Sequence, residues 1–444
     1  MTPTERKLII VLATLQFCHI VDFMIIMPLG KTLIDALDID PLRFNGLVAV
    51  YALAAMVSGL IGAAFIDRFD RRRALVFLFA GFIIGTLACA LAPNYTILMI
   101  CRAFTGLFGG ILSALVLAVV GDVFPLERRA SAMGWVMTAF SAASVVGVPA
   151  GIALAAYGGW RTPFFVIGGL SLILWLLLPY LVPSMRGHLA SEAALVPDAP
   201  LNPSKPLGFD RPDVLDEGVQ KSESFENLEI PKNPNFFPTP SPKPSVWEPY
   251  LSVIRSSNQR AALLFSLCLM LGHFTIIPNL ATYMEVNIGF TTAELSYIYG
   301  IGGLCTVICL PLFGKLADRY GHLRVFAIAS LGALFSIYFI TTLPVVAIPV
   351  ALIASSSFFV VASGRSVPAN TMITAVVEPS HRGSFMTIRQ SVNEAGLFLC
   401  SLISGLIIVE QEDGSLLNYE IVGYFTIVMS IVAIYLATRI KAIS

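Results

Sequence analysis

The chain alternates between long apolar stretches and short polar ones. A helix that crosses a bilayer needs roughly 20 mostly apolar residues. Twelve such stretches can be marked, at about 7–29, 44–66, 74–92, 95–124, 131–157, 162–183, 260–284, 292–316, 323–343, 345–377, 384–409 and 418–438. They are numbered here as spans 1 to 12. Each is predicted to be helical, because inside lipid every backbone polar group must find its partner within the segment. The polar stretch Ala63–Arg73, A-A-F-I-D-R-F-D-R-R-R, sets Asp67, Arg68, Asp70, Arg71, Arg72 and Arg73 between spans 2 and 3. Its spacing returns as Gly314–Arg324, G-K-L-A-D-R-Y-G-H-L-R, with Asp318 and Arg319 between spans 8 and 9. Pro28 of span 1 aligns with Pro278 of span 7, and Asp22 with Gly272. The chain therefore reads as two similar six-span halves, 1–183 and 259–444. Two such repeats, related by an axis along the membrane normal, form a plan whose binding site lies near the midplane between them.

The stretch 184–258 breaks the pattern. Roughly half of the 27 prolines lie in or beside it, with acidic and serine-rich patches. It cannot bury enough apolar area to fold alone. P-T-P-S-P-K-P-S reads as extended polyproline. A disordered tether is the expectation, with a regulatory or partner-binding role as the alternative.

Composition agrees with a membrane protein. The 444 residues are 56% hydrophobic and 13% charged, with a mean hydropathy of +0.80. A soluble domain carries about a quarter charged residues. Net charge is zero, which leaves no basic field for nucleic acid. The seven cysteines (18, 89, 101, 268, 305, 309 and 400) all fall in apolar runs and fit neither a disulfide framework nor a zinc pattern. T-E-R-K leads into an apolar run too long for a signal peptide, so it reads as span 1. One set of loops carries Arg68, Arg71, Arg72, Arg73, Arg128, Arg129, Lys315, Arg319, Arg324 and Arg382; the other is poor in Lys and Arg. The positive-inside rule then puts both termini and the central segment in the cytoplasm. No Ser/His/Asp or P-loop constellation points to an enzyme or an ATP-driven pump.

Ionisable residues inside apolar spans are costly and mark function by default. Asp22 of span 1 is the most informative. Burial favours its neutral form and a nearby guanidinium its charged one, and that conflict suits a group that takes and releases a proton. His19 lies one turn earlier on the same face. Arg102 lies near the outer end of span 4, and His273 of span 7, Arg365 of span 10 and Glu394 of span 11 sit at mid-helix depth. A structural Asp22–Arg102 ion pair, a snorkelling Arg102 and a core His273 are the plainer alternatives. Arg365 could hold an anionic substrate or pair with Glu394. His19, Asp22 and His273 could also form a metal site, but nothing in their spacing requires one, and no metal is the expectation.

Several motifs resemble those of the major facilitator superfamily. Both polar loops resemble its signature G-x-x-x-D-R-x-G-R-R/K. The second keeps Gly314 and Gly321 but has His322 and Leu323 where arginines belong. The first has Ala63 and Asp70 at the glycine positions. Arg102 and Gly106 resemble R-x-x-x-G, with Gly109 and Gly110 favouring close helix approach. Gly147-Val148-Pro149-Ala150-Gly151 resembles the G-P-x-x-G signature of the antiporter subgroup with one residue inserted, and predicts a helix bend. Gly159-Trp160-Arg161-x-x-Phe164 resembles a turn of drug:proton antiporters. Asp122 resembles the acid that pairs with the loop arginines, and Glu378 is its echo.

The resemblance implies an all-α membrane protein, twelve transmembrane helices in two pseudo-symmetric six-helix bundles. It implies a secondary transporter working by alternating access, with spans 1, 4, 7 and 10 around the cavity. Through the drug:proton antiporter group it implies proton-coupled efflux of small, largely apolar molecules. Asp67, Arg68, Arg71, Arg72, Asp122, Gly314, Asp318, Arg319 and Glu378 would form a conformational gate. The partners expected are a small-molecule substrate, protons and the lipid bilayer, for a monomer without cofactor in a bacterial cytoplasmic membrane. The alternatives are a facilitator or symporter for a sugar, amine or organic anion, and a receptor or lipid-handling scaffold that does not transport.

Overall fold

The structure, a computed structural model, describes residues 3–65, 69–124, 126–183, 253, 255–377 and 382–441. Among these, twelve helices are long and apolar enough to cross a membrane. Spans 1 to 6 are Pro3–Ile25, Pro41–Gly62, Arg71–Leu91, Tyr95–Val120, Ala132–Gly158 and Arg161–Leu181. Spans 7 to 12 are Ser257–Val286, Glu294–Tyr320, His322–Thr341, Ile348–Thr374, Ile388–Ile407 and Tyr419–Ala437. They make the expected two six-helix bundles. Large apolar side chains such as Phe77, Ile84, Ile173, Ile328, Phe335 and Ile353 stand exposed on the outside, where a bilayer is their natural solvent. Asp67, Arg68 and Glu378, and nearly all of 184–258, lie outside the described residues. Asp122 sits in the last turn of the helix Tyr95–Val123, but its side chain also lies outside them.

The broken helices carry the irregularities that position side chains. Span 1 stops at Ile25, turns through Pro28, and resumes as a short helix, Gly30–Leu37. Span 7 repeats this device, as Ser257–Phe274 and then Ile277–Val286 with Pro278 in its first turn. Span 10 breaks at Arg365, between Ile348–Gly364 and Ser366–Thr374. In span 5 the bend expected at Pro149 is a π-helical turn, Ala143–Gly147, directly before Val148–Gly158. Proline cannot donate to the turn before it, and the extra residue of a π turn absorbs that loss. A Cβ at Gly147 would strike Val21, and one at Gly151 would strike Ile25. Those two glycines let span 5 lie directly on span 1.

The two polar loops end differently. Asp70 is the N-cap of span 3: its Oδ1 accepts from the amides of Arg72 (2.9 Å) and Arg73 (3.2 Å). Gly321, at the corresponding place, has φ +92° and joins spans 8 and 9 directly. Glycine takes that conformation without strain. A side-chain cap removes the need for it, so the first loop tolerates aspartate where the second needs glycine. Between spans 11 and 12 lies a small antiparallel hairpin, Val409–Glu410 with Leu416–Leu417. Asn287, just past span 7, holds it by bonding Leu416 in both directions, at 2.9 and 3.0 Å.

Candidate functional site

Span 4 owes its position to small residues. A Cβ at Gly106 would run into the Tyr51 carbonyl, and one at Gly110 would lie 2.7 Å from Ala55 Cα. Span 2 therefore sits against span 4 backbone to backbone, as the glycine spacing predicts. That approach brings the ring of Tyr51 within 4.4 Å of the Arg102 guanidinium carbon. Arg102 then reaches span 1. It donates to Asp22 Oδ2 at 3.0 Å and to the Asp22 carbonyl at 3.3 Å. Thr86 of span 3 donates to Asp22 Oδ1 at 3.0 Å. Asp22 and Arg102 are both 0% exposed, so theirs is a fully buried ion pair. Nε and the second terminal nitrogen of Arg102 have no hydrogen-bond partner among the described residues.

His19 lies beside this pair without bonding it. Its ring stands 6.3 Å from that of Tyr51 and 5.9 Å from Phe82, and neither ring nitrogen has a partner among the described residues. Thr86 and Tyr51 were not singled out from the sequence. A threonine or tyrosine inside an apolar run is common and carries no charge to flag it.

The second half builds the same contact with one part removed. Arg365 donates to the carbonyl of Gly272, as Arg102 does to that of Asp22, and to Ser430 Oγ of span 12 at 2.9 Å. Gly272 carries no carboxylate. A Cβ there would lie 2.7 Å from Ser430 Oγ, so the serine fills the space of the missing side chain. His273 stacks on Phe358 at 5.4 Å and meets Phe274 edge-on at 4.8 Å. Glu394 accepts from Gln390 at 2.9 Å. The pairing of Arg365 with Glu394 does not form here; each has taken neutral partners. Arg389 of span 11, not foreseen, is buried and bonds Ser266 (3.1 Å) and Asn370. The six ionisable residues thus fall into an Asp22–Arg102 pair with His19 beside it, an Arg365 cluster with His273, and Glu394. The described residues hold no group of three or more His, Cys, Asp or Glu that could bind a metal ion.

The two halves meet along spans 2 and 11. They pack from Gly405 against Asn45 and Leu42 at one end to Gly59 against Ser391 towards the other. At the end opposite the Arg71–Arg73 loop, Asn45 and Asn279 exchange two amide bonds, each 3.1 Å. Ser404 accepts a third from Asn279, at 2.8 Å. All three residues are fully buried. A Cβ at Gly30 would strike Thr282 of span 7, so the seam is closed at this end. Spans 5 and 8 close a second seam, with Gly303 against Ser144 and Val145 of the π turn.

The family model of the Major Facilitator Superfamily matches residues 12–270 and 262–442. An uncharacterized MFS-type transporter of Bacillus subtilis (strain 168), YceJ, is 21% identical over 388 residues, 87% of this chain and 85% of that protein. A probable sugar efflux transporter of Helicobacter pylori (strain P12) is 31% identical over 154 residues, 34% of this chain and 39% of that protein. Among solved structures, a bacterial homolog of the human lysosomal transporter Spinster, inward-facing and occupied, superposes with a TM-score of 0.72. It is 14% identical, with 100% of this chain and 99% of that one covered, and shows the fold alone.

Proposed function

Because the chain belongs to the major facilitator superfamily, a family of membrane transporters, we propose that it is a proton-coupled exporter of small, largely apolar molecules. The observation that carries this reading is the buried Asp22–Arg102 pair. A carboxylate fully out of water persists as an anion only while its partners hold it. Protonation would remove the charge that Arg102 balances and free the guanidinium for other contacts. Proton and substrate would then compete through Arg102, which is what antiport requires. Span 1 carries the π turn of span 5 on its other side, so a change at Asp22 reaches the seam between spans 5 and 8.

In this reading the halves 1–183 and 259–444 rock about their seams, tethered by 184–258, with both termini in the cytoplasm. The Asn45–Asn279 seam then faces outward and is closed, and the loops of Arg71, Arg72, Asp318 and Arg319 face inward. The gate built on Asp67, Arg68, Asp122 and Glu378, with Gly314 in the second loop, belongs to the same reading.

The similarity to a probable sugar efflux transporter favours a second reading, in which the cargo is a sugar. One experiment tests both. Purified protein is placed in proteoliposomes with an imposed pH gradient, and uphill movement is followed for a panel of apolar cations, neutral apolar compounds, sugars and organic anions. The proposal expects apolar compounds to accumulate against their gradient on the acidic side. Uphill movement of sugars alone supports the second reading. Movement of any compound that ignores the pH gradient contradicts proton coupling.

A further inference from the structure

The first bundle carries a groove of about 710 Å³ on its outer side, between spans 3 and 6. Its head is made by Asp70, Arg72 and Arg73, and its walls by Val76, Phe77, Ala80, Trp175 and Pro179. Helix geometry puts Arg73, Phe77 and Ala80 on one face of span 3, at i, i+4 and i+7. The face is therefore basic in its first turn and apolar below. Phe77 is 68% exposed. Trp175 is fixed as a wall, because its Nε1–H donates to the Val76 carbonyl at 2.9 Å. Asp70 turns its Oδ1 to the amides of Arg72 and Arg73. The two guanidinium groups make no ion pair among the described residues.

We propose that this groove binds an anionic phospholipid, its phosphate between Arg72 and Arg73 and one acyl chain along Phe77, Ala80 and Trp175. Charge and shape both select that occupant. The basic head lies at the end of a span, where headgroups lie, and the apolar walls run from it into the hydrocarbon depth. A free phosphate would meet the arginines and leave the apolar walls uncovered. A neutral or zwitterionic lipid would cover the walls and leave the head, two guanidinium groups beside the one carboxylate of Asp70, with a net positive charge. The volume falls within the range of about 300–1,000 Å³ usual for ligand clefts. The inference rests on membrane insertion alone, so it stands whether or not the chain exports anything and whichever way it faces.

The test reads Trp175 directly. The full chain, with Trp135, Trp160 and Trp247 replaced by Phe, is reconstituted in vesicles whose brominated lipid is either phosphatidylglycerol or phosphatidylcholine. Bromine quenches indole fluorescence only at contact. The anionic lipid should quench at the lower mole fraction, with a preference of about fivefold per arginine. Arg72→Gln with Arg73→Gln should bring the two lipids close to equal. Equal quenching in the parent chain, or a preference that the double variant keeps, overturns the site. Millimolar inorganic phosphate that abolishes the preference, where chloride of equal ionic strength does not, overturns the lipid in favour of a free anion. Trp160 is buried, so a second readout keeps every tryptophan. Native mass spectrometry after detergent exchange should find anionic-lipid adducts on the natural chain and fewer on the double glutamine variant. Equal adducts on both contradict the proposal.

Discussion

Asp22 and Gly272 occupy corresponding places in the two halves, and the difference between them is the chemical asymmetry of the molecule. Each offers its carbonyl to an arginine, from span 4 or span 10. Only Asp22 adds a carboxylate. Ser430 has moved into the space left at Gly272, which gives a direct test of how tightly that half is built. Gly272→Ala should destabilise the protein by about 1–3 kcal/mol, the usual cost of overpacking a filled site. Gly272→Ala with Ser430→Gly should recover part of it. Thermal unfolding in detergent measures both, and a single variant as stable as the parent would mean that the fit is loose. At this scale the sequence is legible where charge is at stake. Asp22, Arg102 and Arg365 announce themselves by standing in apolar runs. Thr86, Tyr51 and Ser430, which decide what those charges touch, do not, because neutral polar residues are ordinary in helices. The Arg365–Glu394 alternative fails for a related reason. Opposite charges in neighbouring spans attract only when their side chains converge, and the turn at Arg365 aims it at spans 7 and 12.

Among elements, the seam of spans 2, 7 and 11 is the place where the proposed rocking of the halves can be tested. The Asn45–Asn279 pair is buried and reciprocal, so truncating one residue strands the other amide. Asn45→Ala should cost the closed state about 1–3 kcal/mol. That shifts the ratio of open to closed by about fivefold to more than a hundredfold. A cysteine replacing Thr282, in a background without the seven natural cysteines, should label faster in Asn45→Ala than in its parent. The double variant with Asn279→Ala should lose less than the sum of the two single losses, because the pair is shared. Unchanged labelling in both single variants would show that the seam does not report on opening. The spans themselves were legible to within a few residues, since twenty apolar residues in a row leave few alternatives to a crossing helix. The bend at Pro149 was legible as a bend; its π-helical form was not, because proline only says that a hydrogen bond is missing. The hairpin at 409–417 was hidden in an acidic loop, held by one asparagine just past span 7. The two loop copies show the same limit. Both were recognisable from Asp-Arg spacing, yet one ends on a left-handed glycine and the other on an aspartate cap.

At the scale of the whole molecule, repetition made the fold readable. Two copies of one loop, aligned prolines and a proline-rich interval between them imply two halves, and the helices fall into two bundles accordingly. The tether itself is an expectation with a simple test. Deleting residues 190–240 should leave folding and transport in place, because the stretch is too poor in apolar residues to form a core. Loss of either in that variant would mean that it binds something the cycle needs.

In the proposed reading, what the whole molecule does is decided at Asp22. The most direct measurement follows protons and substrate together in proteoliposomes holding either the natural chain or Asp22→Asn. Asparagine keeps the shape and can still bond Thr86 and Arg102, but it cannot take up a proton. Removing one charge of a buried pair costs about 3–5 kcal/mol, so the variant is compared only in the fraction that remains folded and still exchanges substrate. The natural chain should move protons in the opposite direction as it moves substrate uphill. Asp22→Asn should exchange substrate across the membrane while moving no protons and building no gradient. Uphill transport with undiminished proton flux in Asp22→Asn would contradict proton coupling through Asp22.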